Sequence, residues 1–132
     1  MNGIIYGTYT TSASGEYSIP VGAFVSGDCV LVYIDSDIGH LIQGNTVTVA
    51  GTTDITGLDI YGGTVIARHN VGSSITNAKF SKAKGNQSDA DILYTMNGTT
   101  LDLNANFLIW TGKTFAPGAD VYISGDWDSS VK

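Results

Sequence analysis

Thr99 to Trp127 reads TTLDLNANFLIWTGKTFAPGADVYISGDW, and this stretch decides the fold. It contains three strand-like runs, TTLDL, FLIW and DVYIS. Asn104-Ala105-Asn106 separates the first two, and Thr111-Gly112-Lys113 with Ala116-Pro117-Gly118-Ala119 separates the second from the third. β-Branched and aromatic residues fill the runs because they fit a pleated, half-buried surface; Asn, Gly and Pro fill the gaps, where the chain must turn. Both tryptophans, Trp110 and Trp127, close a run. The stretch predicts a β-meander that contributes core rather than an active site.

Working outward, ADILYT (90–95) enters the meander through Asn97-Gly98, a strong short hairpin signal. NTVTVA (45–50) alternates, with Val47 and Val49 on one face. Cys29 to Ile34 is apolar on both alternating faces, the pattern of a central strand covered on both sides. Ile55 to His69 predicts two strands around Gly62-Gly63. At the N-terminus, Gly3 to Thr10 (GIIYGTYT) and Glu16 to Ile19 predict a hairpin that Pro20 ends, because proline has no N–H to donate. Ser73 to Lys84 is the one helix candidate, with Ser74 as N-cap and Gly85 at C′. Roughly nine or ten short strands at such spacings predict an all-β chain, read as an Ig-like β-sandwich. A parallel β-solenoid in the C-terminal half is the alternative, which a fixed repeat period would mark.

A chain of 132 residues predicts a single module, 1–132. Folding buries roughly two thirds of the unfolded surface at this size, enough for a core without disulfides or metal. Only 14% of residues are charged and 17 are glycine, which suits short strands and tight turns. No apolar stretch approaches the roughly 20 residues of a membrane span, so membrane insertion is not expected. The start lacks the basic and apolar regions of a signal peptide.

The net charge of −6 argues against nucleic acid as a partner. Its distribution is uneven: no Lys or Arg precedes Arg68, and no acid lies between Arg68 and Lys84. The plainer reading of Arg68, Lys79, Lys82 and Lys84 is a solvated loop. The sharper one is a basic face that meets the acidic face of a neighbouring copy. Cys29 is alone, so an intrachain disulfide is impossible; it reads as a buried, inert thiol.

Three pieces, VLVYIDSD (30–37), GLDIYGGTVIARHN (57–70) and FLIWTGKTFAPGADVYISGDWDSS (107–130), resemble a module of large secreted or surface-attached bacterial proteins. TTSASGEYSIPV (10–21) resembles the opening hairpin of carboxypeptidase-regulatory-like and other Ig-like modules of secreted bacterial proteins. Residues 100–127 are also similar to the repeats of parallel β-solenoid adhesins. The resemblance implies a non-enzymatic building block of an extracellular array, adhesin or fibre. Phage fibres and capsid decorations use similar β-modules, which makes a virion component the alternative. Some Ig-like surface modules carry a Lys–Asn isopeptide bond with its lysine in the first strand; this chain has no lysine before Lys79.

Several constellations suggest chemistry, and each has a plainer reading. Asp35 and Asp37 alternate with Ser36, and paired carboxylates on a loop can hold Ca²⁺; the EF-hand pattern is absent and an Asx-type turn is the plainer reading. Asp126 and Asp128 flank Trp127 in the same way. His40 and His69 lack zinc-ligand spacing, and Lys113 in TGKT lacks the upstream glycine of a phosphate loop. No Gly-x-Ser-x-Gly elbow occurs. Beyond Ca²⁺, no cofactor is expected. Trp110 and Trp127 are the candidates for stacking on a glycan, although strand aromatics more often fill a core. Asn86 and Asn97 each begin an N-glycosylation acceptor pattern, which in a bacterial or phage protein is mostly accidental. The expectation is a structural or adhesive module, extracellular or at the cell surface, associating head-to-tail with copies of itself or with neighbouring modules. Carbohydrate binding is the alternative.

Overall fold

A computed structural model describes residues 1–35 and 42–129. Among these lie β1 (Cys29–Tyr33), β2 (Asn45–Val49), β3 (Thr64–Ala67), α1 (Asn77–Lys84), β4 (Tyr94–Asn97), β5 (Thr100–Leu103), β6 (Asn106–Ile109), β7 (Val121–Ile123) and β8 (Trp127–Asp128). They form two mixed sheets, ordered β1-β2-β3-β6-β8 and β4-β5-β7. The chain is β-rich, as its composition predicts.

The pairing departs from that of an Ig-like sandwich, whose sheets are antiparallel. Only β1–β2 and β4–β5 are antiparallel; β2–β3, β3–β6, β6–β8 and β5–β7 are parallel. Parallel neighbours need a long crossover between them: an irregular stretch, 50–63, joins β2 to β3, a stretch holding α1, β4 and β5 joins β3 to β6, and one holding β7 joins β6 to β8. The tight β4–β5 hairpin is the expected one, with Gly98 at a φ of 61° in its two-residue loop.

The inner faces of both sheets enclose one core, built on Val47, Val49, Val65, Ala67, Leu101, Leu103, Phe107 and Ile109. Helix α1 fills the space between the sheets. Its Phe80 ring meets Tyr94 at 5.1 Å, Phe115 at 6.0 Å and Phe107 at 6.2 Å. Thr76, not Ser74, is the N-cap, its hydroxyl accepting from Lys79 N at 3.3 Å. Gly85 ends the helix as expected, at a φ of 57°.

Three expected strands are absent. Residues 55–61 form a strap over the outer face of the larger sheet instead. There Ile66 and Leu108 are buried apart from the main core. The strap's carbonyls accept side-chain bonds rather than ladder bonds. Thr46 Oγ1 donates to Asp59 O at 2.6 Å, Arg68 to Gly57 and Thr56 O, and the Tyr17 hydroxyl to Leu58 O. Arg68 is therefore buried and does not belong to a basic face. Gly3–Thr10 and Glu16–Ile19 also form no strand; only the Ser12–Glu16 turn closes, with Ser12 N donating to Glu16 O at 2.8 Å.

Cys29 is buried as expected, but on an edge strand rather than a central one. Burial pushes its thiol pKa up, which keeps it protonated. The outer edge of β1 is answered by Asn2. Its N–H donates to Cys29 O at 2.7 Å, and its side-chain oxygen accepts from Cys29 N at 2.8 Å.

Candidate functional site at the last turn of the stack

The parallel ladders stack one turn of chain on the next. Leu101 pairs with Val121, Leu103 with Ile123 and Phe107 with Trp127, each 20 residues apart. Asn45 pairs with Val65 at the same spacing of 20. A third side of the coil is marked by the parallel bridge Ile75–Phe115. Ile75 N donates to Thr114 O, and Ala116 N to Ile75 O, both at 2.9 Å.

The corners stack as well. Ser124-Gly125-Asp126 sits on Asn104-Ala105-Asn106, with Ser124 N donating to Leu103 O at 3.0 Å and Asp126 N to Asn106 Oδ1 at 3.0 Å. A Cβ on Gly125 would stand 2.4 Å from Asn106 Oδ1 and 2.7 Å from the Ala105 carbonyl. Glycine is what lets the two corners come this close.

Position for position, the two turns differ in cover. Ile75, Leu101 and Leu103 are fully buried. Their partners Phe115, Val121 and Ile123, one turn on, are only partly buried against the same core. Phe107 is buried, whereas Trp127, its register partner, is 64% exposed. Tyr122, on the other face of β7, is 62% exposed.

The main chain is open at the same place. In a parallel ladder alternate residues bond to alternate sides. Asp120 O and Ser124 N bond toward β5, so the N–H and C=O of Val121 and Ile123 point away from it. β7 and β8 are both edge strands, one in each sheet, and they lie on consecutive sides of one turn. This end therefore offers backbone hydrogen-bonding groups, an apolar surface and the carboxylates of Asp120 and Asp126.

The opposite end carries other chemistry. β1 and the last turn of α1 close it, and that turn holds Lys82 and Lys84, well placed against the helix dipole. Lys82 Nζ donates to Gly27 O at 3.2 Å. Asp28 is tied by Val25 N at 2.8 Å and by the Asn2 amide at 2.7 Å. These donors hold its carboxyl below the usual range, Val25 N–H most strongly.

The other sequence candidates are scattered. Trp110 follows β6 in line, its N–H donating to Ala67 O at 3.0 Å. It thus shares the outer face of Leu108, with Tyr61 at 6.0 Å, and is partly buried rather than core. Trp127 lies in register with Phe107 on the inner face, so the two tryptophans do not share a platform. A cleft of about 250 Å³ lies outside the sheet between Tyr61, Asn106, Asp126 and Asp128. Asn86 and Asn97 are exposed. Asp35 is exposed beyond β1, while its companion Asp37, like His40, lies outside the described residues. Among the described residues no three His, Cys, Asp or Glu side chains gather as a metal site. His69 accepts from Thr114 N at 3.2 Å. Burial, helped by Lys113 and Lys79, lowers its pKa. Among the described residues no helix is long and apolar enough to cross a membrane.

Comparison with family models, curated proteins and solved structures finds no match to this chain. The residues that define the open end, Phe115, Val121 and Ile123, went unmarked as site residues. The signal that finds them is the echo between LDLNANF (101–107) and VYISGDW (121–127).

Proposed function

We propose that the chain is a non-enzymatic structural or adhesive module of an extracellular fibre, array or cell-surface protein. It works by docking the last turn of its stack on the next module or copy. For the finer architecture we infer a short parallel β-solenoid with a 20-residue turn in preference to an Ig-like sandwich, on the strength of the equal register steps. The extracellular setting rests on the resemblance of residues 30–37, 57–70 and 107–130 to surface modules.

One observation carries the docking reading: Phe115, Val121 and Ile123 are partly buried where their register partners are fully buried. A further turn laid on this end would bury them, and removing apolar surface from water favours association. Charge supports the orientation, because Lys82 and Lys84 lie at one end and Asp120 and Asp126 at the other. A head-to-tail contact of this kind does not close, so it grows into a filament.

Sedimentation and negative-stain imaging across concentration and ionic strength test the reading. Rods that lengthen with concentration and shorten at high salt support it. A chain that stays monomeric at millimolar concentration and low salt, with the β7 and β8 amides protected from exchange, overturns it. Carbohydrate binding is the second reading, favoured by the exposure of Trp127 and Tyr122. A monomer retained on a polysaccharide column would support that reading instead.

A further inference from the structure

The stretch Gly3–Thr10 is tied to the fold at Gly3 and left unused beyond it. It contains no charged residue, yet Ile4 and Ile5 are each 63% exposed, and Tyr6 and Tyr9 are exposed too. Among the described residues, the main-chain groups of Ile5–Thr11 hydrogen-bond to no other main-chain group. An uncharged, β-prone segment with unpaired N–H and C=O groups is a strand lacking a sheet.

Its sequence matches the turns of the stack at four of eight places. LDLNANFL (101–108), VYISGDWD (121–128) and GIIYGTYT (3–10) align without gaps. The third place is apolar in each: Leu103, Ile123, Ile5. The fifth, at the corner, is small: Ala105, Gly125, Gly7. The sixth is a short polar residue: Asn106, Asp126, Thr8. The seventh is aromatic: Phe107, Trp127, Tyr9. Gly7 has a φ of 152°, which a residue with a side chain rarely adopts.

Its place in the molecule is equally telling. Gly3 N donates to Ala83 O at 3.1 Å, and Gly3 packs on Gly85, where a Cβ would stand 2.6 Å from Gly3 Cα. The arm therefore leaves from the end closed by β1 and α1, the end that faces a neighbour's last turn in a head-to-tail stack.

Building on the assembly reading above, we propose that Gly3–Thr10 of one copy supplies the next turn for another copy, pairing in parallel along β7 and β8. Ile5 then covers Ile123, and Tyr9 covers Trp127. The outward groups of Val121 and Ile123 gain main-chain partners, as in strand addition to a sheet edge. Lys82 and Lys84 of the donor come toward Asp120 and Asp126 of the acceptor.

Mixing two variants tests this. One breaks the arm, Ile5→Pro with Tyr9→Pro; the other blunts the acceptor edge, Trp127→Lys, with Ile123→Pro as a second edge variant. Proline at 123 removes only an N–H that points outward. Each variant alone should self-associate about a hundredfold more weakly than wild type in sedimentation. Their mixture should form a one-to-one dimer and nothing longer, because one intact arm meets one intact edge. If the wild type associates and the arm variant associates equally well, or if the wild type stops at a symmetric dimer, the arm is not the donor, although the module still assembles. If the wild type stays monomeric, both readings fall.

Discussion

The two ends of this molecule both carry parallel ladders with a 20-residue step and are finished differently. At one end the antiparallel strand β1 breaks the parallel series, Asn2 answers the outer edge at Cys29, and α1 inserts Phe80 and Ala83 into the core. At the other end β7 and β8 repeat the turn below them and nothing among the described residues follows. A parallel stack has no internal reason to stop, since each turn presents the edge and the apolar face that the next one needs. Stopping it takes something that does not repeat, and among the described residues such elements stand at the β1 end.

The largest break of that contrast comes from the closed end. Phe80→Ala should cost about 3–5 kcal/mol, read as a lower urea midpoint, because it empties the place where four aromatic rings meet. A cost below about 1 kcal/mol would mean that the helix is an ornament and not a plug.

A sharper test compares register partners. Leu101→Ala should cost about 2–5 kcal/mol, whereas Val121→Ala, one turn on, should cost about 1 kcal/mol or less in the monomer. The gap should narrow at concentrations where copies associate, because docking buries Val121. Equal costs in dilute solution would show that the last turn is already covered.

Acidification should loosen the two ends in turn. His69 holds Thr114, in the last turn, through its neutral ring, and its folded pKa lies below the usual 6.5. The unfolded chain therefore takes up the proton first, and stability falls as pH drops below 6.5. Asp28 is shifted downward as a carboxylate, so its contribution is full above 3.8 and is lost as pH falls further. Melting temperature measured from pH 8 to 3 should fall in two stages, and His69→Gln should flatten only the first. A first stage unaltered in that variant would remove His69 from the account.

The smallest effect is expected at Trp127. With 64% of its surface exposed, Trp127→Ala should change monomer stability by less than about 0.5 kcal/mol. The same variant should show a clear loss of self-association by sedimentation. A large drop in melting temperature would show that the ring packs in the monomer.

Much of the strand content was legible in the sequence. The runs at 29–33, 45–49, 100–103, 106–109 and 121–123 announce themselves by alternation and by β-branched residues. Direction was not legible, because parallel and antiparallel strands share one alternation. The period that would have revealed direction is interrupted: β3 and β6 pair 42 residues apart, 22 more than the regular step, with α1 and the β4–β5 hairpin in between. Propensity also misread GIIYGTYT and the strap at 55–61, since an apolar, β-prone segment looks the same paired in a sheet or laid across one. Arg68 counted as surface charge in the sequence, although its head group spans buried space to reach the strap carbonyls. The open end was half visible: GIIYGTYT and DVYIS both read as strands, and of the two only Val121–Ile123 is one, at a sheet edge.

The 42-residue step also sets a timetable. On one side of it lie β1 to β3, on the other β4 to β8, and each group ties its own ladders over shorter separations. Closing a longer loop costs more chain entropy, though only about 0.6 kcal/mol for each doubling. The seam between β3 and β6 should therefore form last, as the two halves come together around Phe80. Substitutions at Ile66, on the seam, should mainly speed unfolding, and those at Leu103 should mainly slow folding. Until the seam closes, β3 of one chain meets its own β6 and a neighbour's β6 as equivalent partners. At high concentration refolding chains should thus exchange halves, trapping intertwined pairs that persist after dilution.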